Sequence, residues 1–350
     1  MKASYKKYIL KFKNPSGTSR GVLRTKETWF LILEENGRFG IGECGIFRGL
    51  SSDDVADYEE QLKWLTSNIN QETDTLLQSL KKYPSIQFGL EQAILSLNQK
   101  NPFELFNTPF VTAEQPVAIN GLVWMGDIEF MKDQVQEKLE QGFKCIKMKI
   151  GAIDFKAELA LLRLIRNNFD KDKIELRVDA NGAFSPNEAL DKLTVLAQLD
   201  LHSIEQPIKQ GQWQEMRILC EQTPLPIALD EELIGIFDVE EKRELLQKIR
   251  PQYIILKPSL VGGFRGSEEW IGIAEEYGIG WWVTSALESN VGLNAISQWT
   301  ATLGNPLPQG LGTGSLFTNN FESPLTVANG SIYYDKAKMW QESLIENLCI

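Results

Sequence analysis

The sequence predicts an α/β protein: a modified (β/α)8 barrel over residues 116–318, with an α+β capping domain built from residues 1–115 and 319–350. Three observations predict it. Five apolar runs, CIKMKIG, IELRVDANG, HSIEQP, PIALDEE and YIILKPS, end in or near Lys149, Asp179, Glu205, Asp230 and Lys257. Those residues are separated by 30, 26, 25 and 27 positions, the length of one strand, one helix and two short loops. The opening third of the chain lacks this alternation: strands come first and helices follow, the order of an α+β unit.

The elements follow in order. Residues 5–13 alternate as a strand, 27–35 (ETWFLILEE) form a second, and Glu35-Asn36-Gly37 supplies hairpin chemistry before FGIGECG. Ser51, Ser52, Asp53 and Asp54 signal the start of a helix through Ser67. A second helix covers 72–81, and a third covers 85–98 with Ile86, Leu90, Ala93, Ile94 and Leu97 on one face. PVAINGLVWMG is the first barrel strand, followed by a helix over 127–141 that ends at Gly142. CIKMKIG, a helix over 155–168, and IELRVDANG come next, with Ser185-Pro186 opening the helix after them. HSIEQP, PIALDEE and YIILKPS are strands four to six, and VGGFRG leads into a helix around 268–277. GWWVTSALES is the seventh, 290–303 is helical, and the short, Gly-rich PQGLGTG is the eighth. Such near-continuous apolar runs suit parallel strands buried on both faces. A doubly wound sheet would need a phosphate-binding glycine turn after its first strand, and NGLVWMGD is not one. The tail from Asn319, with GSIYYD, returns to alternation and is expected to pack on the N-terminal unit.

Composition bounds the function. The 350 residues suit one barrel of about 250 residues plus a smaller domain. With 36 Lys and Arg against 47 Asp and Glu, the formal charge of −11 opposes nucleic acid or an anionic membrane as a partner. The N-terminus reads as an alternating strand rather than a signal peptide, and no window is long and apolar enough for a membrane span. Cys44, Cys145, Cys220 and Cys349 show no C-x-x-C spacing, which points to free thiols and a cytoplasmic setting. The single histidine, His202, excludes a three-His zinc site.

Residues at the C-terminal ends of barrel strands converge on one mouth. Asp179, Glu205 and Asp230 would meet there, and facing carboxylates repel unless a cation lies between them. The chemistry suits a hard divalent ion with oxygen ligands, Mg2+ first; taken singly, each acid also reads as a loop carboxylate or a helix cap. Lys147 and Lys149, two apart, point to the same face of their strand, and Lys257 lies across the mouth. An anionic substrate over the metal would sit between Lys149 and Lys257, and a desolvated lysine near other cations can act as a base.

KMK, DANG, IEQP, LDEE and LKPS, in this order and spacing, resemble the enolase superfamily, in its muconate-lactonizing-enzyme-like branch with a lysine on each side of the metal. The resemblance covers nearly the whole chain. It implies the chemistry known of enolase-superfamily sites, a lysine or histidine base with magnesium stabilising an enediolate. It makes Asp179, Glu205 and Asp230 the Mg2+ ligands, with Mn2+ as a substitute. Lys149 becomes the general acid/base, supported electrostatically by Lys147, and Lys257 the cation on the opposite face. Asn181 and Glu231 match positions just outside the ligand set, while His202 reads as a packing residue. TSALESNVGLNAISQW and PQGLGTG resemble the o-succinylbenzoate synthases of menaquinone biosynthesis, which implies syn dehydration of a cyclohexadiene carboxylate bearing a succinyl arm.

Dipeptide epimerases of the branch carry an acidic D-x-D near the eighth strand, where this chain has GLGTG. Ser285, Ser289, Gly312 and Gly314 suit an anionic group instead. The segment 15–24 (PSGTSRGVLR) is expected to be a lid over a dianionic substrate, with Arg20 as a contact and Arg24 nearby; a plain hairpin loop is the alternative. Residues 46–50 (IFRGL) would add apolar contacts and Arg48. The partner is a small anionic carboxylate, and the chain is compatible with a homo-oligomer. Competing activities are an N-acylamino acid racemase, a dipeptide epimerase or a muconate cycloisomerase of the same branch. A catalytically idle barrel would be expected to lack one of the five strand-end charges, and all are present.

Overall fold

The computed structural model describes every residue except 19, 20, 125, 152, 349 and 350. The chain opens with an antiparallel sheet of β1 (Lys2–Thr18), β2 (Gly21–Glu35) and β3 (Arg38–Cys44). Within the segment 15–24, expected to be a loop, residues 16–18 instead pair with 21–23 and continue the β1–β2 hairpin, with a register break between Lys11 and Ser16. Backbone bonds from Lys13 N to Leu316 O (2.8 Å) and from Thr318 N to Lys11 O (2.8 Å) tie this hairpin to the barrel.

The run WFLIL in β2 is apolar without a break because both faces of the sheet are covered. Trp29, Leu31 and Leu33 face α1 (Tyr58–Asn68), α2 (Thr73–Ser79) and α3 (Pro84–Asn98). Phe30 and Ile32, on the other face, pack with Ile41 and with Phe321, Leu344 and Ile345 of the tail. The helix α3 lies directly on β3: a Cβ on Gly42 would meet the Gly89 carbonyl oxygen at 1.9 Å, so a side chain there would force the two apart. The helix expected from Asp54 begins only at Tyr58. Asp53 is buried and accepts from Ser85 N (2.9 Å) and Ser85 Oγ (2.6 Å), so it anchors the start of α3 instead of opening α1.

The barrel follows. PVAINGLVWMG is divided: β4 (Val117–Ala118) joins a small antiparallel sheet, and β5 (Gly121–Val123) is the first parallel strand. Then come α4 (Ile128–Glu140), β6 (Cys145–Lys149), α5 (Phe155–Asn168), β7 (Glu175–Asp179), α6 (Pro186–Ala197) and β8 (Ser203–Glu205). The series continues with α7 (Trp213–Gln222), β9 (Ile227–Leu229), α8 (Val239–Ile249), β10 (Tyr253–Leu256), α9 (Pro258–Val261), α10 (Gly263–Glu276), β11 (Gly280–Val283) and α11 (Asn290–Leu303). Several starts are set locally: Asp127 accepts from Phe130 N, Asp154 from Lys156 N and Ala157 N, and Ser185 with Glu188 forms a capping box ahead of Pro186.

Strands β5 to β11 form one parallel sheet in sequence order. The eighth segment is not a continuous strand. Gln309 bridges Ile119 and Gly310 bridges Thr284, both in parallel, so this short stretch joins the two edges of the sheet. Its glycines leave little side chain to pack, which accounts for the brief pairing. The tail adds β12 (Leu325–Ala328), β13 (Ser331–Tyr334), which lies between β12 and β4, and α12 (Leu344–Leu348). It meets the N-terminal sheet: Tyr8 Oη donates to Asn319 O (2.9 Å), and just before the tail Phe317 lies 4.8 Å from Phe12 between ring centroids. Among the described residues no helix is long and apolar enough to cross a membrane.

Candidate active site

Parallel register places three of the charged residues at one level. Lys149 pairs with Asp179 and Asp179 with Glu205 across β6, β7 and β8, while Asp230 and Lys257 directly follow β9 and β10. Since successive side chains alternate, the in-pointing set one layer deeper is Lys147, Arg177, Ser203, Ala228, Ile255 and Trp282. Trp282 and Arg177 close the barrel centre, the guanidinium lying 4.2 Å from the indole centroid. His202 precedes β8, so it lies toward the opposite end of the barrel, 4.9 Å from the ring of Tyr253 and away from the mouth.

The mouth opens into a cavity of about 730 Å3. Lys147, Lys149, Asp179, Asn181 and Lys257 line its floor. Lys147 Nζ donates to Asp179 Oδ2 (2.9 Å) and Glu205 Oε2 (2.6 Å). Lys149 Nζ donates to the same Asp179 oxygen (2.8 Å) and to Asn181 Oδ1 (2.7 Å). Across the mouth Lys257 Nζ donates to Asp230 Oδ2. Asn181 is held in turn: its amide donates to Glu231 Oε1 (3.0 Å) and its backbone N–H to Asp179 Oδ1 (3.0 Å). Asn181, Gln206 and Leu287 have φ of +44°, +39° and +61°, so left-handed backbone recurs just past the strand ends, a strain common where function over-determines the chain.

Burial alone would lower the lysines and raise the acids. For Lys147 that effect is outweighed by Asp179 and Glu205, which hold it above the usual range, and for Lys257 by Asp230 and Glu205. Burial of Asp179 is overcome by Lys147 and Lys149, and that of Asp230 by Lys257, so both carboxyls are held low. Glu205 differs. Burial and then the neighbouring Asp179 charge push it well up, against the pull of Lys147, and its Oε1 is buried with no hydrogen-bond partner. The cluster is therefore short of positive charge at Glu205. Among the described residues no three acids, cysteines or histidines stand as a ready-made metal cluster, because the lysine ammoniums hold the inner oxygens. The donor set still fits a hard cation: three carboxylates at adjoining strand ends, one with an unpartnered buried oxygen beside the charge deficit.

The upper wall is built from the loops after β11 and from the eighth segment. Ser285, Gly312, Thr313 and Gly314 line the cavity, and Ser285 Oγ lies 2.7 Å from Thr313 Oγ1. Thr313 was not anticipated, although it stands within GLGTG between the two glycines singled out. Ser289 does not line the cavity. It is fully buried, caps α11 by accepting from Val291 N (3.2 Å), and donates to Glu43 Oε2 (2.5 Å). The expected substrate contact is corrected to a tie between barrel and cap. From the cap, Phe47 and Leu50 line the cavity, as do Lys13 and Pro15. Arg48 does not; its guanidinium is taken by Glu27 and by Asp54 (2.6 Å), two acids the lid reading overlooked. Arg20 lies outside the described residues.

Comparison with known proteins accords with this layout. A sequence-family model described as "Enolase C-terminal domain-like" matches residues 130–337, which contain all five strand-end charges. The chain belongs to the enolase superfamily. A second model, for the MenC N-terminal domain, matches residues 3–97. A similar superfamily relative is the o-succinylbenzoate synthase of Desulfotalea psychrophila, 46% identical over 361 aligned positions, covering 94% of this chain and 98% of the relative. The crystal structure of MenC from the same organism superimposes with a TM-score of 0.85 at 42% identity, covering 95% and 99% of the two chains. A muconate lactonizing enzyme from Pseudomonas fluorescens shares the fold at 21% identity, with a TM-score of 0.84 over 99% of this chain and 98% of that one.

Proposed function

We propose that this chain is an o-succinylbenzoate synthase, which converts 2-succinyl-6-hydroxy-2,4-cyclohexadiene-1-carboxylate to 2-succinylbenzoate by syn dehydration in menaquinone biosynthesis. The observation that carries this reading is the wall facing the lysines. Residues 310–316 present glycines, Thr313 and Ser315 to the cavity and no acid, which suits a succinyl carboxylate and not an ammonium. The near full-length similarity to the Desulfotalea psychrophila synthase supports the same assignment. Buried free thiols at Cys44, Cys145 and Cys220 suit a reducing, cytoplasmic setting.

Asp179, Glu205 and Asp230 would hold Mg2+, with Mn2+ as an oxygen-liganded substitute. When bound, such an ion would supply positive charge that stabilises negative charge gathering on the ring carboxylate. Lys149, oriented by Asn181, takes the proton from the carbon bearing that carboxylate, and the C–H electron pair moves into the conjugated system. The adjacent C–O bond then breaks; Lys149 returns the proton to the departing oxygen, water leaves, and the ring becomes aromatic. Lys147 keeps Asp179 and Glu205 in place from below. Lys257, kept protonated by Asp230, offers a fixed cation on the opposite ring face and no base.

The test is a spectroscopic dehydration assay with this cyclohexadiene and Mg2+. The parent is expected to form product, and Lys149→Ala to lose about 10³-fold or more in kcat while remaining folded. If the parent forms no product but exchanges the α-proton of N-acylamino acids or dipeptides with solvent deuterium, the site reading stands and the reaction becomes racemisation or epimerisation.

A further inference from the structure

A second buried charge cluster lies outside the mouth, where the capping sheet meets the barrel loops. Lys26 and Thr28 of β2 extend the stripe of Phe30 and Ile32, so both point away from the cap helices and toward α11. Glu43 of β3 stands on the same face, paired in register with Phe30. Its carboxylate is saturated: it accepts from Thr28 Oγ1 (2.8 Å), Ser289 N (3.0 Å), Ser289 Oγ (2.5 Å) and Gly292 N (2.9 Å). Three of those donors belong to the start of α11, so a cap carboxylate completes a barrel helix.

Glu288, in the loop just before α11, accepts from Ala286 N (2.7 Å) and from Ser259 Oγ. It thereby joins the wall segment 284–287 to the turn that follows Lys257. A Cβ on Gly292 would meet Glu43 Oε2 and Glu288 Cβ, each at 2.8 Å, so the two acids sit side by side. Both are fully buried, and the charge that acts on both is Lys26, whose ammonium is also buried and makes no hydrogen bond. Burial draws Lys26 down while Glu43 and Glu288 hold it up; burial raises Glu288 and Lys26 opposes this.

We propose that Lys26 is a positioning residue for the reaction: its buried ammonium neutralises the Glu43–Glu288 pair through space, and this keeps the loops after β10 and β11 seated against the cap. Those loops carry Lys257 and the Ser285 wall, so the cap controls the site through charge as well as by covering it. Lys26 touches neither cavity nor substrate. Without it, two adjacent buried carboxylates face each other uncompensated, and one must take up a proton or move.

The consequence for catalysis rests on the dehydratase reading; the consequence for the loops does not. Amide hydrogen exchange over residues 284–292 reads the loops directly, because Ala286, Ser289 and Gly292 N–H groups are the ones bound to the two acids. In Lys26→Met this segment is expected to exchange about tenfold faster or more, with β7 unchanged, and kcat to fall by a similar factor. Lys26→Met/Glu288→Gln, which removes one charge of each sign, is expected to regain most of both. If Lys26→Met alone does not fold, recovery of folding in the double variant supports the pairing. Exchange and kcat equal to the parent in Lys26→Met, or no recovery in the double variant, would overturn the proposal. A parent without dehydratase activity would remove the functional reading, while the exchange data would still decide the role of Lys26.

Discussion

The buried acids at the barrel mouth and those at the seam between cap and barrel differ in what compensates them. At the barrel mouth Asp179 and Asp230 are held low by lysines that touch them. At the seam between cap and barrel, Glu91 and Glu43 meet backbone N–H groups at the starts of α10 and α11. Burial is nearly complete in both regions, so burial does not decide the charge state. Direct lysine contact accompanies the two lowered carboxyls. Glu205 departs from that pattern: Lys147 touches it at 2.6 Å, yet burial and the Asp179 charge push it up, and its Oε1 keeps no hydrogen-bond partner.

Glu205→Gln breaks the comparison most severely. It keeps the volume and removes a charge that the metal-free site compensates poorly. Activity is expected to fall by about 10³-fold or more, and the rise in Tm on adding Mg2+ to vanish. Metal-free Tm should be unchanged or higher. A clear fall in metal-free Tm would show that Glu205 is a structural acid like those of the seam.

At the seam the expected effect is on stability and depends on pH. Glu91 accepts from Phe264 N (2.6 Å) and Arg265 N (3.3 Å), and its carboxyl is raised to about 7, chiefly by burial. Between the ordinary glutamate range and about 7 the folded protein holds a proton that the unfolded chain has lost. The contribution is therefore fully present at low pH and is lost as pH rises through that window, on the order of 3 kcal/mol. Urea unfolding at pH 5 and pH 8 should show this fall in the parent and little of it in Glu91→Gln. Equal falls in both would place the titration elsewhere.

The smallest effect is expected where the same seam reaches solvent. Arg265 Nη1 meets Asp74 at 2.5 Å, joining α10 to α2, but both side chains are largely exposed. Asp74→Ala should cost less than about 1 kcal/mol, and less still at high salt. A larger loss in the same urea experiment would mean that this pair, and not Glu91, secures the cap.

Much of this architecture was legible in the order of residues. The βα period, α5 and α11 at their observed bounds, and the convergence of Lys149, Asp179, Glu205, Asp230 and Lys257 on one mouth all follow from local patterning. Strand alternation aims each side chain over a few residues, and the C-terminal ends of successive parallel strands open on one mouth. The boundary of α1 did not follow, because Asp53 caps a helix that begins thirty-one positions after it. Ser289 reads equally well as a cavity hydroxyl or a helix cap, and only its approach to Glu43, 246 residues away, decides between them.

Lys26 shows the same limit. On its own it is a polar residue at the edge of an apolar strand, and nothing nearby in the chain demands that it be buried. The sequence by itself determined the barrel, the frame around it and the identity of the charges at its mouth. Only the tertiary structure decided which of the buried acids have a cation in contact and which rely on backbone N–H groups. The physical reason is range: propensity and periodicity act between neighbours in the chain, whereas charge compensation in a buried site depends on whichever group packing brings within a few ångströms.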